Sequence, residues 1–285
     1  MSKRRELERE LQAFGEIREI LGAMKNLALM EMGKLTRFIS TQQRVVEGIE
    51  TVAADLLSFY PEMPAAPGKA RHVWLLIGSE RGFCGDFNEA VKSVFNAYGK
   101  RFATEEAIVI AVGYRLSSKL ADDNRVTTHL AGASVVEEVE SVLTRVMEML
   151  AALQTEHPAL CPLCLTLFSH RLDETQVQAL VLEPFRRLEK KPARFAYAPL
   201  LNLSPPAFFA GLAEHYLFAK LHELFYSSLM VENQRRLQHM ENALHRIEQE
   251  SSRLLLRRNS LRQEEITEEI EVLLLSAEAL QRPTR

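Results

Sequence analysis

The residues best placed to do chemistry are those of Gly78-Ser79-Glu80-Arg81-Gly82-Phe83-Cys84-Gly85-Asp86-Phe87-Asn88, between an apolar run and a helical pattern. That is where α/β proteins often bind phosphates, on glycine-freed backbone amides and a helix N-terminus. The spacing is neither G-x-G-x-x-G nor G-x-x-x-x-G-K-[ST], and no lysine is present for a triphosphate. Asp86 at the helix start would repel an anion, so a structural strand-to-helix turn is the stronger reading. Cys84 lies near that helix start, where a thiol pKa falls, but no adjacent histidine supplies a base. A small buried thiol explains it better.

The remaining candidates fare no better. Cys161-Pro162-Leu163-Cys164 has the spacing of a redox or zinc pair, but it is a single pair and overlaps an expected strand. His215 with His222, and His239 with His245, miss the i, i+4 spacing that puts two ligands on one helix face. Glu264, Glu265, Glu268, Glu269 and Glu271 form an acidic run on a helix with no pocket to raise a carboxyl pKa. A solvated face, or a surface for a basic partner, accounts for them. No catalytic constellation emerges, and neither cofactor nor metal is expected.

The elements that carry these residues are marked out by helix breakers. Of eleven prolines none precedes Pro61 and none lies between Pro206 and Pro283, and the last glycine is Gly211. Proline costs ~3 kcal/mol inside a helix and glycine ~1, so long helices are expected at both ends. Leu7, Leu11, Phe14, Leu21, Ala28, Met32, Leu35, Ile39, Val46 and Ile49 step by threes and fours, with Arg18, Lys25 and Gln42 interrupting. Leu237, Met240, Leu244, Ile247, Ser251 and Leu254 keep the same step, which then slips and resumes at Ile266, Ile270, Leu273, Ala277 and Leu280. A sustained 3.5-residue period is a coiled-coil seam, and the slip predicts altered winding near Leu261 to Ile266. A helix over about 207–282 would reach on the order of 110 Å, so it is expected to project from any domain of this size.

The middle of the chain reads differently. Val73 to Ile77 and Ala107 to Val112 are apolar runs ended by glycine; Cys164 to Phe168 and Val177 to Leu182 look like two more strands. Helical periodicity around Phe87 to Phe102 and Val135 to Leu153 separates them, which argues for an α/β layer with a largely parallel sheet. Pro61 to Gly68 reads as a linker, and Pro205-Pro206 opens the last helix. The expected organisation is a helix over 1–60, an α/β domain over 70–204 and a helix over 205–285. The fold class is thus an antiparallel coiled coil of the terminal helices, with a Rossmann-like α/β domain inserted.

Composition narrows the function classes. Among 285 residues, 47% are hydrophobic and 26% charged, which excludes wholesale disorder. With 35 Lys+Arg against 38 Asp+Glu the net charge is -3, so no basic excess recruits nucleic acid or an anionic membrane. Three cysteines are too few for a secreted disulfide scaffold. The charged start Met1-Ser2-Lys3-Arg4-Arg5-Glu6-Leu7-Glu8 does not read as a signal peptide, and no run approaches ~20 apolar residues. A cytoplasmic protein is expected.

Asn259-Ser260-Leu261-Arg262-Gln263-Glu264-Glu265-Ile266-Thr267-Glu268-Glu269-Ile270-Glu271 resembles the C-terminal signature R-Q-x-x-I-T-x-E-[IL]-x-E of F-type ATP synthase gamma subunits, and Ala277-Glu278-Ala279-Leu280 fits its ending. Glu232-Asn233-x-x-Arg236-x-x-x-Met240-x-x-Ala243, Ile20-x-x-Ala23-Met24-Lys25-x-x-Ala28 and Arg81-Gly82-Phe83-Cys84-Gly85-x-Phe87-Asn88 resemble three further motifs of that family, in the right order. Asp86-Phe87 stands where the family usually has Gly-Leu, Ala13 to Ile17 replaces a Ser-Val-Lys-Asn-Thr run, and Leu275-Ser276 replaces a glycine-containing step. The chain therefore looks like a divergent bacterial member, of the alternative type of F-ATPase that is often sodium-coupled; the ion itself is chosen in the membrane ring.

The resemblance implies a non-catalytic central rotor stalk, one copy per complex, binding no nucleic acid. It implies a ring of alpha and beta subunits around the coiled coil, with epsilon and the membrane ring of c subunits at the α/β foot. It also implies a peripheral position on the cytoplasmic face of the bacterial membrane. It carries beta-subunit contact over to Met24, Lys25, Arg262, Gln263, Thr267 and Glu269, and a foot-domain motif to Arg81, Gly82, Cys84, Gly85 and Asn88. The rival readings are a non-rotary coiled-coil scaffold and a nucleotide-binding enzyme with helical arms.

Overall fold

A computed structural model of the chain describes residues 3–63, 71–102, 107–156, 163–172, 176–185, 188 and 195–281. Helix α1 (Lys3–Phe59) is followed by β1 (Arg71–Ile77), α2 (Phe87–Arg101), β2 (Ile108–Val112), α3 (Tyr114–Lys119) and β3 (Val126–Leu130). Then come a 3₁₀ turn (Val136–Glu138), α4 (Val139–Glu156), β4 (Leu163–Ser169), β5 (Gln178–Leu182) and α5 (Pro205–Gln281). The long terminal helices and the four expected strands are present. The parts of the linker from Pro64 to Gly68, and Cys161, fall outside the described residues.

The chain forms two compact units, 1–27 with 237–285 and 28–236, and both α1 and α5 run through each. In the larger unit the strand order is β3-β2-β1-β4-β5. β1 pairs in parallel with β2 and with β4, β2 pairs in parallel with β3, and β5 is antiparallel to β4. Alternation along β1 splits the core, because successive side chains point to opposite faces. Val73, Leu75 and Ile77 pack with Leu35 and Ile39 of α1, Val142 and Leu143 of α4, and Leu221, Leu224 and Phe225 of α5. Trp74 and Leu76 pack with Val91 and Phe95 of α2 and Leu116 of α3. The result is a three-layer sandwich in which α1 and α5 are themselves part of the domain's cover. They run antiparallel there: Gln42 Nε2 donates to Ala219 O at 2.9 Å, and the Tyr216 hydroxyl to Glu50 Oε1 at 3.2 Å.

In the smaller unit the helices are again antiparallel, since Lys25 pairs with Glu241 (2.8 Å) and Arg4 with Glu265 (3.1 Å). Leu7 and Leu21 of α1 and Met240 of α5 are buried in the seam. The expected slip of the seam is not found. The half-buried positions of α5 continue unshifted through Ser251, Leu254, Arg258, Leu261 and Glu265, and the helix is unbroken. Ile266, Ile270 and Leu273 are exposed instead. The apolar stripe read as a resumed seam is a different face of α5, and the true seam ends in charged residues, one of them held by Arg4.

Candidate functional site

The loop after β1 lies at the topological switch point of the sheet, where β2 and β4 flank β1 and an open α/β fold leaves its ligand crevice. Here the crevice is occupied by the protein's own side chains. Glu80 Oε2 accepts hydrogen bonds from the backbone N–H of Tyr114 (2.9 Å) and of Gly132 (2.7 Å), amides of the kind an anion would take. Ser79 N–H donates to Asn88 Oδ1 at 2.9 Å, and Asn88 Nδ2 returns a bond to Ser79 Oγ at 2.8 Å. Cys84 Sγ lies 3.3 Å from Ser79 Oγ. Burial pushes the Cys84 thiol up, the opposite of what a nucleophile needs. The turn between these anchors carries Phe83 and Gly85 in the left-handed region, at φ 62° and 61°, with the Phe83 side chain exposed.

Helix α5 closes the loop from the other side. Arg236 Nε donates to Gly82 O at 3.4 Å and Nη1 to Asn233 Oδ1 at 2.8 Å, while Nη2 is paired with the Glu232 carboxylate. Glu232, Asn233 and Arg236 are 2%, 1% and 7% exposed, so this is a buried polar cluster. Asp86 is paired with Arg235. Beneath the loop, the His170 ring stacks on Phe87 with centroids 4.1 Å apart, and its Nε2 is 2.9 Å from Phe87 O. Of the foot-motif residues, Gly82, Cys84, Gly85 and Asn88 belong to this one loop network, and Arg81 is exposed beside it. Sequence reasoning missed the role of Glu80 and the burial of Glu232 and Arg236.

Two groups in this unit drive its pH response in opposite directions. Burial holds the His170 imidazole down, to about 4, from 6.5. Burial pushes the Glu232 carboxyl up to about 7 from 4.5, against the pull of Arg236. Between the two ordinary values the unfolded chain holds a proton on His170 that the fold lacks, and the fold holds one on Glu232 that the unfolded chain lacks. Each contributes up to about 1.4 kcal/mol per pH unit, with opposite sign. His170→Gln is therefore expected to leave stability falling as pH rises from about 4.5 towards 7, and Glu232→Gln to leave it rising from about 4 towards 6.5. Urea midpoints of both variants across that range check the signs; equal slopes would contradict the assignment.

The other candidates lie on the smaller unit. Met24 and Lys25 are half-buried on α1, and the Lys25 ammonium is engaged by Glu241. Arg262, Gln263, Thr267 and Glu269 are exposed on α5, where Thr267 Oγ1 donates to Gln263 O at 2.9 Å. The two groups are not brought together: Glu241 and Arg262 are roughly 30 Å apart along the helix. Beyond Glu265, where α1 begins, α5 continues to Gln281, and Val272, Leu273, Leu274 and Leu275 are each more than 60% exposed. Contiguous exposed apolar surface of this kind marks an interaction site. Among the described residues no group of three or more His, Cys, Asp or Glu could hold a metal ion, and no helix is long and apolar enough to cross a membrane.

The terminal helices pair antiparallel, the loop after β1 is closed by the protein's own side chains, and the exposed apolar stretch Val272 to Leu275 marks an interaction surface. The family model described as ATP synthase matches residues 3–280. ATP synthase gamma chains of two Clostridium botulinum strains, Langeland and Okra, are each 21% identical over 283 residues, covering 96% of this chain and 96% of theirs. The fold is shared with a chain of the Euglena gracilis mitochondrial ATP synthase OSCP/F1/c-ring structure (TM-score 0.60, 14% identity, 99% of this chain and 97% of that one). It is also shared with a chain of the Tetrahymena thermophila mitochondrial ATP synthase central stalk/c-ring (TM-score 0.56, 17% identity, 79% and 99%). The chain belongs to the ATP synthase gamma-chain family.

Proposed function

We infer that this chain is the central stalk of a rotary F-type ATP synthase and couples rotation of a membrane c-ring to conformational change at the catalytic sites of beta subunits. The observation that carries the reading is the match over nearly the whole chain, joined to the exposed apolar stretch Val272 to Leu275 of α5. An apolar end suits a collar formed by the surrounding alpha and beta subunits. The chain is a non-catalytic subunit: it acts by making different contacts with each beta subunit, which shifts the populations of their conformations. Epsilon and the c-ring are its partners at the α/β domain, and its place is peripheral, on the cytoplasmic face of a bacterial membrane.

Met24, Lys25, Arg262, Gln263, Thr267 and Glu269 are proposed as the beta-facing residues. The exposed guanidinium of Arg262 and amide of Gln263 can form directional, charge-assisted bonds to carboxylates of one beta subunit at a time. Replacing both with alanine is expected to leave the complex assembled and to slow ATP turnover by on the order of tenfold. The check is the ATPase rate and subunit stoichiometry of complexes purified with alpha and beta; unchanged turnover in an intact complex removes the contact role.

A further inference from the structure

We propose that the buried Glu232–Arg236 pair is a latch that fixes the register of the sheet domain on helix α5, making both of them positioning residues for torque transfer. The proposal rests on the central-stalk reading and deepens it. Arg236 is the centre of the latch: its guanidinium ties Gly82 O of the β1 loop to Glu232 and Asn233 of the helix. Asn233 is in turn fixed by donating Nδ2 to Leu229 O at 2.9 Å. Two further directional bonds join α5 to the same end of the sheet, Arg235 to Asp86 and the Leu172 N–H to Ser227 Oγ at 2.8 Å.

The helix–sheet contact also includes an apolar part, through residues such as Leu221, Leu224, Phe225 and Leu229. Apolar contact is non-directional, so it supplies adhesion but resists sliding or turning of the helix only weakly. A buried ion pair has the converse properties. Its desolvation offsets most of its attraction, so well-packed apolar side chains of similar volume are often as stabilising. What the pair adds is geometric: Glu232 and Asn233 hold the guanidinium on its own helix, so that its Nε reaches Gly82 O of the β1 loop in one register only. Among the described residues, Glu232 and Arg236 are the only Asp, Glu, Lys or Arg side chains that are buried, and Arg236 meets the β1 loop at Gly82 O.

The test is the double substitution Glu232→Leu with Arg236→Met in the assembled complex, alongside Glu232→Gln, which keeps an acceptor for the guanidinium. Amide hydrogen exchange over residues 78–88, ATP hydrolysis and ions moved per ATP are measured together. The double variant is expected to assemble and hydrolyse ATP at close to the parental rate. Its loop amides are expected to exchange about tenfold faster, a loss of about 1.4 kcal/mol of local protection, and its ions per ATP to fall by about half or more. Glu232→Gln is expected to stay near the parent in both. Unchanged loop exchange in the double variant overturns the latch. Faster exchange with unchanged ions per ATP overturns its role in torque transfer. Failure of the parental chain to assemble with alpha and beta subunits would instead overturn the central-stalk reading, which the loop exchange does not test.

Discussion

Gly113→Ala is expected to destabilise the sheet-bearing unit by about 3–5 kcal/mol, enough to unfold a marginal domain. Gly113 joins β2 to α3 at φ 106°, a backbone conformation that a residue with a Cβ adopts only under strain. A Cβ there would lie 2.6 Å from Gly78 O and 2.8 Å from Ser79 O. These are backbone atoms that cannot swing aside, because Gly78 N–H is bonded to Val112 O and Ser79 O accepts from Arg115 N–H. Gly113 N–H itself donates to Leu130 O, so the ends of β1, β2 and β3 converge on this residue. Gly48→Ala, in the interior of α1 with open space around the new methyl, is the matched control and is expected to stabilise by up to about 1 kcal/mol. Urea unfolding of the two variants decides the matter. A Gly113→Ala protein as stable as the parent would show that the convergence is looser than described.

Met24→Lys is expected to slow coupled turnover roughly fivefold to hundredfold while leaving the complex assembled. The half-buried thioether of Met24 suits a surface that must pass nonequivalent neighbours, since it is adaptable and uncharged. A cation there would pair with beta carboxylates in some rotary positions and not in others, a barrier of ~1–3 kcal/mol where the pair is partly buried. Lys25, one residue on and about 100° around the helix, already has its ammonium 2.8 Å from Glu241 of α5. The check is the rate of ATP-driven ion transport in reconstituted vesicles, together with ions moved per ATP. Parental rate and efficiency in the variant would return Met24 to a packing role against α5.

The long helices were legible because breaker residues are absent from them and because the seam repeats, as at Leu21, Ala28 and Leu35. Four strands were legible as apolar runs, but β3 was not. Val126 to Leu130 is an edge strand that alternates half-buried with exposed positions, and its Val-Thr-Thr-His-Leu sequence never forms a run. The end of α5 was misread for a related reason. Arg258 and Glu265 continue the seam, whereas the apolar Ile266, Ile270 and Leu273 stripe looks more like one. Only the spatial pairing of Arg4 with Glu265 reveals which face is covered. Glu232 and Arg236 stood in a recognisable motif, yet an i, i+4 acid–base pair on a helix reads the same whether it is solvated or buried. Burial is a property of what packs across it, here the β1 loop from a distant part of the chain.

The most direct test of the central-stalk account is to watch the chain turn. A fluorescent or bead label on an exposed residue of the α/β domain, in a complex whose alpha and beta subunits are fixed to a surface, reports the orientation of this chain during ATP hydrolysis. Stepwise rotation in one direction, with three stops per turn that match the three beta sites, is the predicted result. An orientation that stays fixed while the same complexes hydrolyse ATP at full rate would contradict it.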